Sequence, residues 1–176
     1  MRRRRCVLAA LLLVAASAFS ARADDADIAL LRLRALLIPV SSVEAADLQD
    51  TYLQARDGAR AHEALDIPAR RGTPVLAVDG GRIAKLFLSK PGGRTVYHFD
   101  DAREFAYYYA HLDGYAEGLV EGMRVRKGQV IGYVGSTGNA APESPHLHFA
   151  IFRLGPERQW WRGTPINPFA VWDLSR

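Results

Sequence analysis

His146-Leu147-His148-Phe149-Ala150-Ile151-Phe152, residues 146–152, is the stretch whose reading decides the fold. Its aromatic and aliphatic content is that of a strand. Alternate strand residues share a face, so His146 and His148 project together, about 7 Å apart. Leu147, Phe149 and Ile151 then point the other way, into a core. Two imidazoles on an otherwise apolar strand need a chemical reason to be there.

Outward from this strand, Gly and Pro recur at short intervals from about residue 60 onward. Between them lie short β-type runs at 75–78, 82–89, 94–99, 105–112 and 129–134. Short strands with regular turn signals predict a mainly β domain, an antiparallel sandwich or barrel. The tail contains all three tryptophans, and residues 166–172 are expected to fold back and close the core. Before residue 60 the texture differs. Residues 24–37 are acidic, then Leu/Arg-rich, and read as a short helix or a segment packed loosely on the body. Ser42 followed by 44–56 reads as a serine-capped helix, with Val43, Ala46, Leu48, Tyr52 and Leu53 at roughly helical spacing.

The chain has 176 residues, with 23 Lys plus Arg against 19 Asp plus Glu, a formal net charge of +4. That excess sits at the start: Arg2, Arg3, Arg4, Arg5 and Arg22 precede residue 24 with no acid among them. Without them the net charge is −1, so a basic nucleic-acid-binding body is not supported. A hydrophobic fraction of 49% argues against disorder. Residues 7–19 are apolar and too few to span a bilayer comfortably. With the arginines before them and Ala21-Arg22-Ala23 after them, residues 1–23 read as a secretory signal cleaved after Ala23. No stable membrane span is expected after cleavage. The one cysteine, Cys6, lies inside the signal. The mature chain would then carry no disulfide and no thiol nucleophile, and any metal must be held by His, Asp or Glu. Three parts are expected: the signal at 1–23, a partly helical extension at 24–59 and the β domain at 60–176.

Two further placements join the His146/His148 pair. His62 and Asp66 are four apart, which puts them on a common side of a strand or a helix. An imidazole and a carboxylate suit zinc. His111 ends the run Tyr107-Tyr108-Tyr109-Ala110 at a strand end, where a cleft can form. Tyr107 and Tyr109 share its parity and either line that cleft or pack in the core. His98 has no partner at a meaningful spacing and reads as structural. The segment His62-Glu63-Ala64-Leu65-Asp66 is not a helical HExxH site: the second histidine is missing, and Pro68, Gly72 and Pro74 follow at once. Gly135-Ser136-Thr137-Gly138 reads as a backbone corner rather than a phosphate loop, since no lysine or helix follows.

These stretches together resemble the lysostaphin/LytM-type zinc metallopeptidases, which cut peptide bonds in bacterial peptidoglycan. The matching residues are His62 to Ile67, Gly72-Thr73-Pro74-Val75, Tyr109-Ala110-His111-Leu112, Gly128-Gln129, Gly135 to Gly138, His146-Leu147-His148-Phe149 and Pro165 to Pro168. Order and spacing agree over roughly 110 residues. Ala64 departs from a common glycine but remains small. The resemblance implies a metallopeptidase domain of the duplicated-hybrid-motif type. It implies one zinc ion per chain, held by His62, Asp66 and His148, with His111 and His146 beside it as catalytic groups. Three protein ligands leave a fourth position for water, as a hydrolytic zinc site requires. The family pattern does not fix which histidine does which; the expectation adopted is His146 as general base and His111 as transition-state stabiliser. The implied substrates are peptidoglycan stem peptides or cross-bridges, met outside the cytoplasm, in the periplasm or beyond it. Two other functions fit the resemblance: a catalytically silent domain that activates a cell-wall amidase, and a zinc peptidase for protein targets.

Overall fold

A computed structural model describes residues 24–56 and 60–173. The predicted export signal, residues 1–23, lies outside the described residues. Residues 24–33 form helix α1. Ten strands follow. Seven of them build one antiparallel sheet in the order β1 (Leu65–Pro68), β9 (His146–Leu154), β5 (Phe105–Leu112), β4 (Gly93–Asp100), β3 (Gly81–Ser89) and β7 (Arg124–Val125), with β10 (Gly163–Ile166) also on β9. β2 (Pro74–Leu76), β8 (Val130–Tyr133) and β6 (Gly114–Tyr115) form a smaller sheet. The chain closes with helix α2 (Pro168–Trp172).

β9 is the hub. β5 lies along one edge, from Phe105 opposite Arg153 to Ala110 opposite His148. The other edge is shared, with β1 on the His146 half and β10 on the Ile151 half. The alternation read from sequence is realised here: Leu147, Phe149 and Ile151 are fully buried. They pack with Phe105, Tyr107 and Tyr109 from β5 and with Leu65 and Ile67 from β1. Each such side chain contributes about 1.5–3 kcal/mol by leaving water. His98 is buried on the same side, with Nδ1 3.4 Å from the Tyr109 hydroxyl. Burial pushes its imidazole down to about 4, so it is held neutral.

The N-terminal segment is part of this core. Leu31, Leu36 and Val40 are buried in it, and Val40 pairs with Val75. The Arg32 guanidinium donates to the carbonyls of Ala170 and Asp173, and Arg34 pairs with Asp100 at 2.7 Å. Trp172 folds back onto Phe149 and donates its indole N–H to Leu36 O. The predicted helix over 44–56 does not form. A single 3-10 turn, Ala45–Asp47, stands in its place. The Asp50 carboxylate accepts from Tyr52 N in a local turn. The carbonyls of Tyr52 and Gln54 then accept from Glu63 N and His62 N. Long-range pairing with 61–63 takes the backbone groups that a helix would use. Among the described residues no helix is long and apolar enough to cross a membrane.

Candidate functional site

The face of the large sheet opposite the core gathers four of the five histidines. β9 presents His146 and His148. β1 lies antiparallel beside it with Asp66 directly opposite His148. His62 reaches the same point from the turn just before β1, where Glu63 adopts φ +56°. His62 Nε2 lies 2.9 Å from His148 Nδ1, and Asp66 Oδ1 is 3.1 Å from each of those nitrogens.

This triangle fits a metal ion. Ligands at ~2.0–2.1 Å around a tetrahedral zinc stand roughly 3.3 Å apart, close to the observed edges. His62 Nδ1–H donates to Thr51 O at 3.0 Å, which leaves a lone pair on Nε2, the atom that faces the triangle. Thr51 also ties the carboxylate's own strand, since its hydroxyl accepts from Asp66 N. Burial pushes the Asp66 carboxyl up, but hydrogen bonds to His148 and His62 outweigh it and hold the group well below the usual carboxylate range. The second Asp66 oxygen, Oδ2, accepts from Arg56 at 2.5 Å.

His111 and His146 stand beside the triangle. Their rings are 4.9 Å apart, and the His111 ring is 5.6 Å from that of His148. His146 Nε2 lies 3.8 Å from Asp66 Oδ1. Each ring is anchored through Nδ1–H, His111 to Thr137 O at 2.8 Å and His146 to Ser144 O at 2.9 Å. Both therefore carry the Nε2 lone pair when neutral. Burial pushes the His111 imidazole down to about 4, against the opposing pull of Thr137 O.

The way His111 reaches this face differs from the parity expected along 105–112. Arg94 pairs with Leu112 and Val96 with Tyr109, so Thr95 alone faces Ala110 and His111. The extra residue is a β-bulge, and His111 takes φ +60° within it. The bulge reverses the alternation. Tyr107 and Tyr109 thus belong to the core, both fully buried. Tyr108 takes the site face, its ring 5.9 Å from His148 and 4.6 Å from Tyr97. Gly135 to Gly138 form the expected corner. Gly138 has φ +80°, and the corner packs on the backbone of 92–93 and 111–113. Three contributors escaped the sequence reading: Thr51, Arg56 and Tyr108. The first two sit in backbone turns that leave no periodic trace. The third is hidden by the bulge.

The sequence profile of peptidase family M23 matches residues 60–168. The chain belongs to peptidase family M23. The chain is 35% identical over 108 residues to an L-Ala--D-Glu endopeptidase of Bacillus subtilis, covering 58% of this chain and 33% of that protein. It is 37% identical over 113 residues to the DD-carboxypeptidase/endopeptidase Mpg of Neisseria meningitidis, covering 64% of this chain and 23% of that protein. The chain thus spans a third or less of the length of these curated relatives. Its fold matches the catalytic domain of lysostaphin from Staphylococcus simulans with a TM-score of 0.61 and 26% identity, over 73% of this chain and 94% of that one. The M23 fold accounts for the antiparallel sheets and for the β-rich body anticipated from sequence.

Proposed function

We infer that the chain is an exported zinc metalloendopeptidase that hydrolyses peptide bonds of bacterial peptidoglycan. One observation carries the reading: His62 Nε2, Asp66 Oδ1 and His148 Nδ1 converge within about 3 Å of one another, and two more histidines are anchored beside them. The relatives named as an L-Ala--D-Glu endopeptidase and a DD-carboxypeptidase/endopeptidase support the substrate class. The N-terminal arginines and apolar run support export to the periplasm or beyond.

His62, Asp66 and His148 are the residues that would hold the zinc. Bound there, zinc supplies Lewis-acid chemistry, acidifying a coordinated water and polarising a carbonyl. The chain supplies the proton handling. His146 offers the lone pair of Nε2, since its Nδ1–H is engaged by Ser144 O, and acts as general base towards the attacking water. It returns that proton to the leaving amine. His111 Nε2 also has no proton while the ring is neutral. His111 becomes a donor to the developing oxyanion as an imidazolium, a form that negative charge in the transition state favours. Thr137 O keeps the ring oriented in both states. A silent amidase-activating domain would be expected to lack one of these five groups, and all five are present.

The metal assignment has a direct test. The purified protein is expected to take up one equivalent of zinc and to melt at a higher temperature when loaded, by mass action on the folded state. His148→Ala is expected to bind no stoichiometric zinc and to show no such rise, read by elemental analysis and thermal denaturation. Equal zinc content in wild type and variant would overturn the ligand set.

A further inference from the structure

The two oxygens of the Asp66 carboxylate have different partners. Oδ1 lies 3.1 Å from both His62 Nε2 and His148 Nδ1, and 3.8 Å from His146 Nε2. Oδ2 accepts from the Arg56 guanidinium at 2.5 Å. Among the described residues, Asp66 is the one acid that Arg56 pairs with. A carboxylate can ligate a cation through one oxygen or through both. Ligation through both would turn Oδ2 towards the ion and break the charge-assisted hydrogen bond to Arg56.

Arg56 comes from a run that precedes the M23 match and pairs with the residues leading into the site. Ala55 pairs antiparallel with Ala61, Arg56 N donates to Arg60 O at 2.8 Å, and Gln54 O accepts from His62 N at 2.9 Å. Thr51 anchors the start of this run. Its carbonyl accepts from His62 Nδ1–H, and its hydroxyl accepts from Asp66 N and donates to Ala64 O at 3.3 Å. Asp50 accepts from Asn167 Nδ2 at 3.2 Å, which ties the run to the residue that caps α2. The run therefore supports two of the three candidate ligands from outside the triangle. The Arg56 side chain is 38% exposed, so its ion pair adds little to the stability of the fold. Its consequence is the orientation of the carboxylate.

We propose that Arg56 is a positioning residue of the metal centre: it holds Asp66 to ligation through Oδ1 alone and so keeps a coordination position for water. The proposal rests on the reading of His62, Asp66 and His148 as the zinc ligands. A hydrolytic zinc site needs that open position. A second carboxylate oxygen on the ion would compete for it.

The test uses cobalt(II), added to the metal-free full chain in place of zinc. Four-coordinate cobalt absorbs visible light strongly, and cobalt with more ligands absorbs weakly. The wild type is expected to bind one equivalent with the strong band. Arg56→Met keeps much of the apolar stem and removes the charge and every donor. It is expected to bind one equivalent, to lose the strong band and to keep the wild-type melting temperature without metal. With zinc, its kcat on a peptide is expected to fall about tenfold or more. Arg56→Lys restores a cationic donor and is expected to recover the band. Leu53→Ala, at a side chain 78% exposed in the same run, is expected to match the wild type in all these readings. Arg56→Ala is measured beside Arg56→Met and is expected to give the same spectrum, so a fault in packing the methionine is not mistaken for the effect. A strong band in both Arg56→Met and Arg56→Ala would overturn the proposal. So would loss of the band in Leu53→Ala, no recovery in Arg56→Lys, or loss of bound cobalt from both Arg56→Met and Arg56→Ala. A wild type that binds no stoichiometric cobalt would overturn the ligand set itself, and the proposal with it.

Discussion

His111→Asn is expected to lower kcat on a peptide substrate by about 10²–10⁴-fold while zinc content stays at the wild-type level. His111 lies outside the three-atom triangle, so its removal leaves those three atoms in place. It does remove the ring that Thr137 O orients towards the same space as His146 Nε2. Asparagine is the suitable replacement because position 111 has φ +60°, which Asn tolerates better than most residues. An alanine there adds backbone strain to the chemical loss. The decisive comparison is kcat against bound zinc, measured on one preparation. A loss of less than tenfold at full zinc occupancy would remove His111 from the proton path. A loss of zinc together with activity would make it a structural support of the centre instead.

Gly93→Ala is expected to lower stability by about 3 kcal/mol or more, and with it the melting temperature by roughly 10 °C. Gly93 sits at the β3–β4 hairpin tip with φ +63°. A Cβ there would collide with Thr137 Oγ1 and with the backbone of Thr137 and Gly138. Thr137 holds the hairpin and the site together: its hydroxyl accepts from Arg94 N and donates to Leu112 O, and its carbonyl orients His111. Displacing it therefore disturbs the bulge that brings His111 to the site face. Gly118 serves as the control, since it has φ +73° but open space where a methyl group would stand. Gly118→Ala is expected to cost only the backbone strain, about 1 kcal/mol. Equal effects at the two positions, measured by thermal or denaturant unfolding, would contradict the role given to packing at Gly93.

What was legible in the sequence followed from period and spacing. The His146/His148 pair announced a strand with one chemical face, and its burial pattern bears that out at Leu147, Phe149 and Ile151. His62 and Asp66 were readable as a pair because four residues bring them to one side, and the turn at Glu63 and the start of β1 do so. The bulge at Ala110-His111 was not legible. It depends on Thr95 lying opposite two residues at once, a fact of register between two strands rather than of either strand alone. That single extra residue brings His111 to the site face that Tyr108 shares, while Tyr109 stays in the core. The segment 44–56 misled for a related reason. Its apolar residues are only loosely periodic, and its carbonyls are taken by His62 and Glu63, residues that local propensity cannot see. β1, β6, β7 and β10 are each four residues or fewer, too short for an alternation to stand out.

Hydrolysis of peptidoglycan peptide bonds at the His62–Asp66–His148 centre is the activity on which the site roles depend. The measurement that tests it most directly is mass analysis of the fragments released from purified peptidoglycan by the zinc-loaded protein, beside the same protein after chelation and the His148→Ala variant. New peptides are expected, each gaining one water per cut, that disappear on chelation, return with added zinc and never form with the variant. Intact peptidoglycan after treatment with the fully zinc-loaded wild type would contradict this activity, the more so if the same protein accelerates a cell-wall amidase.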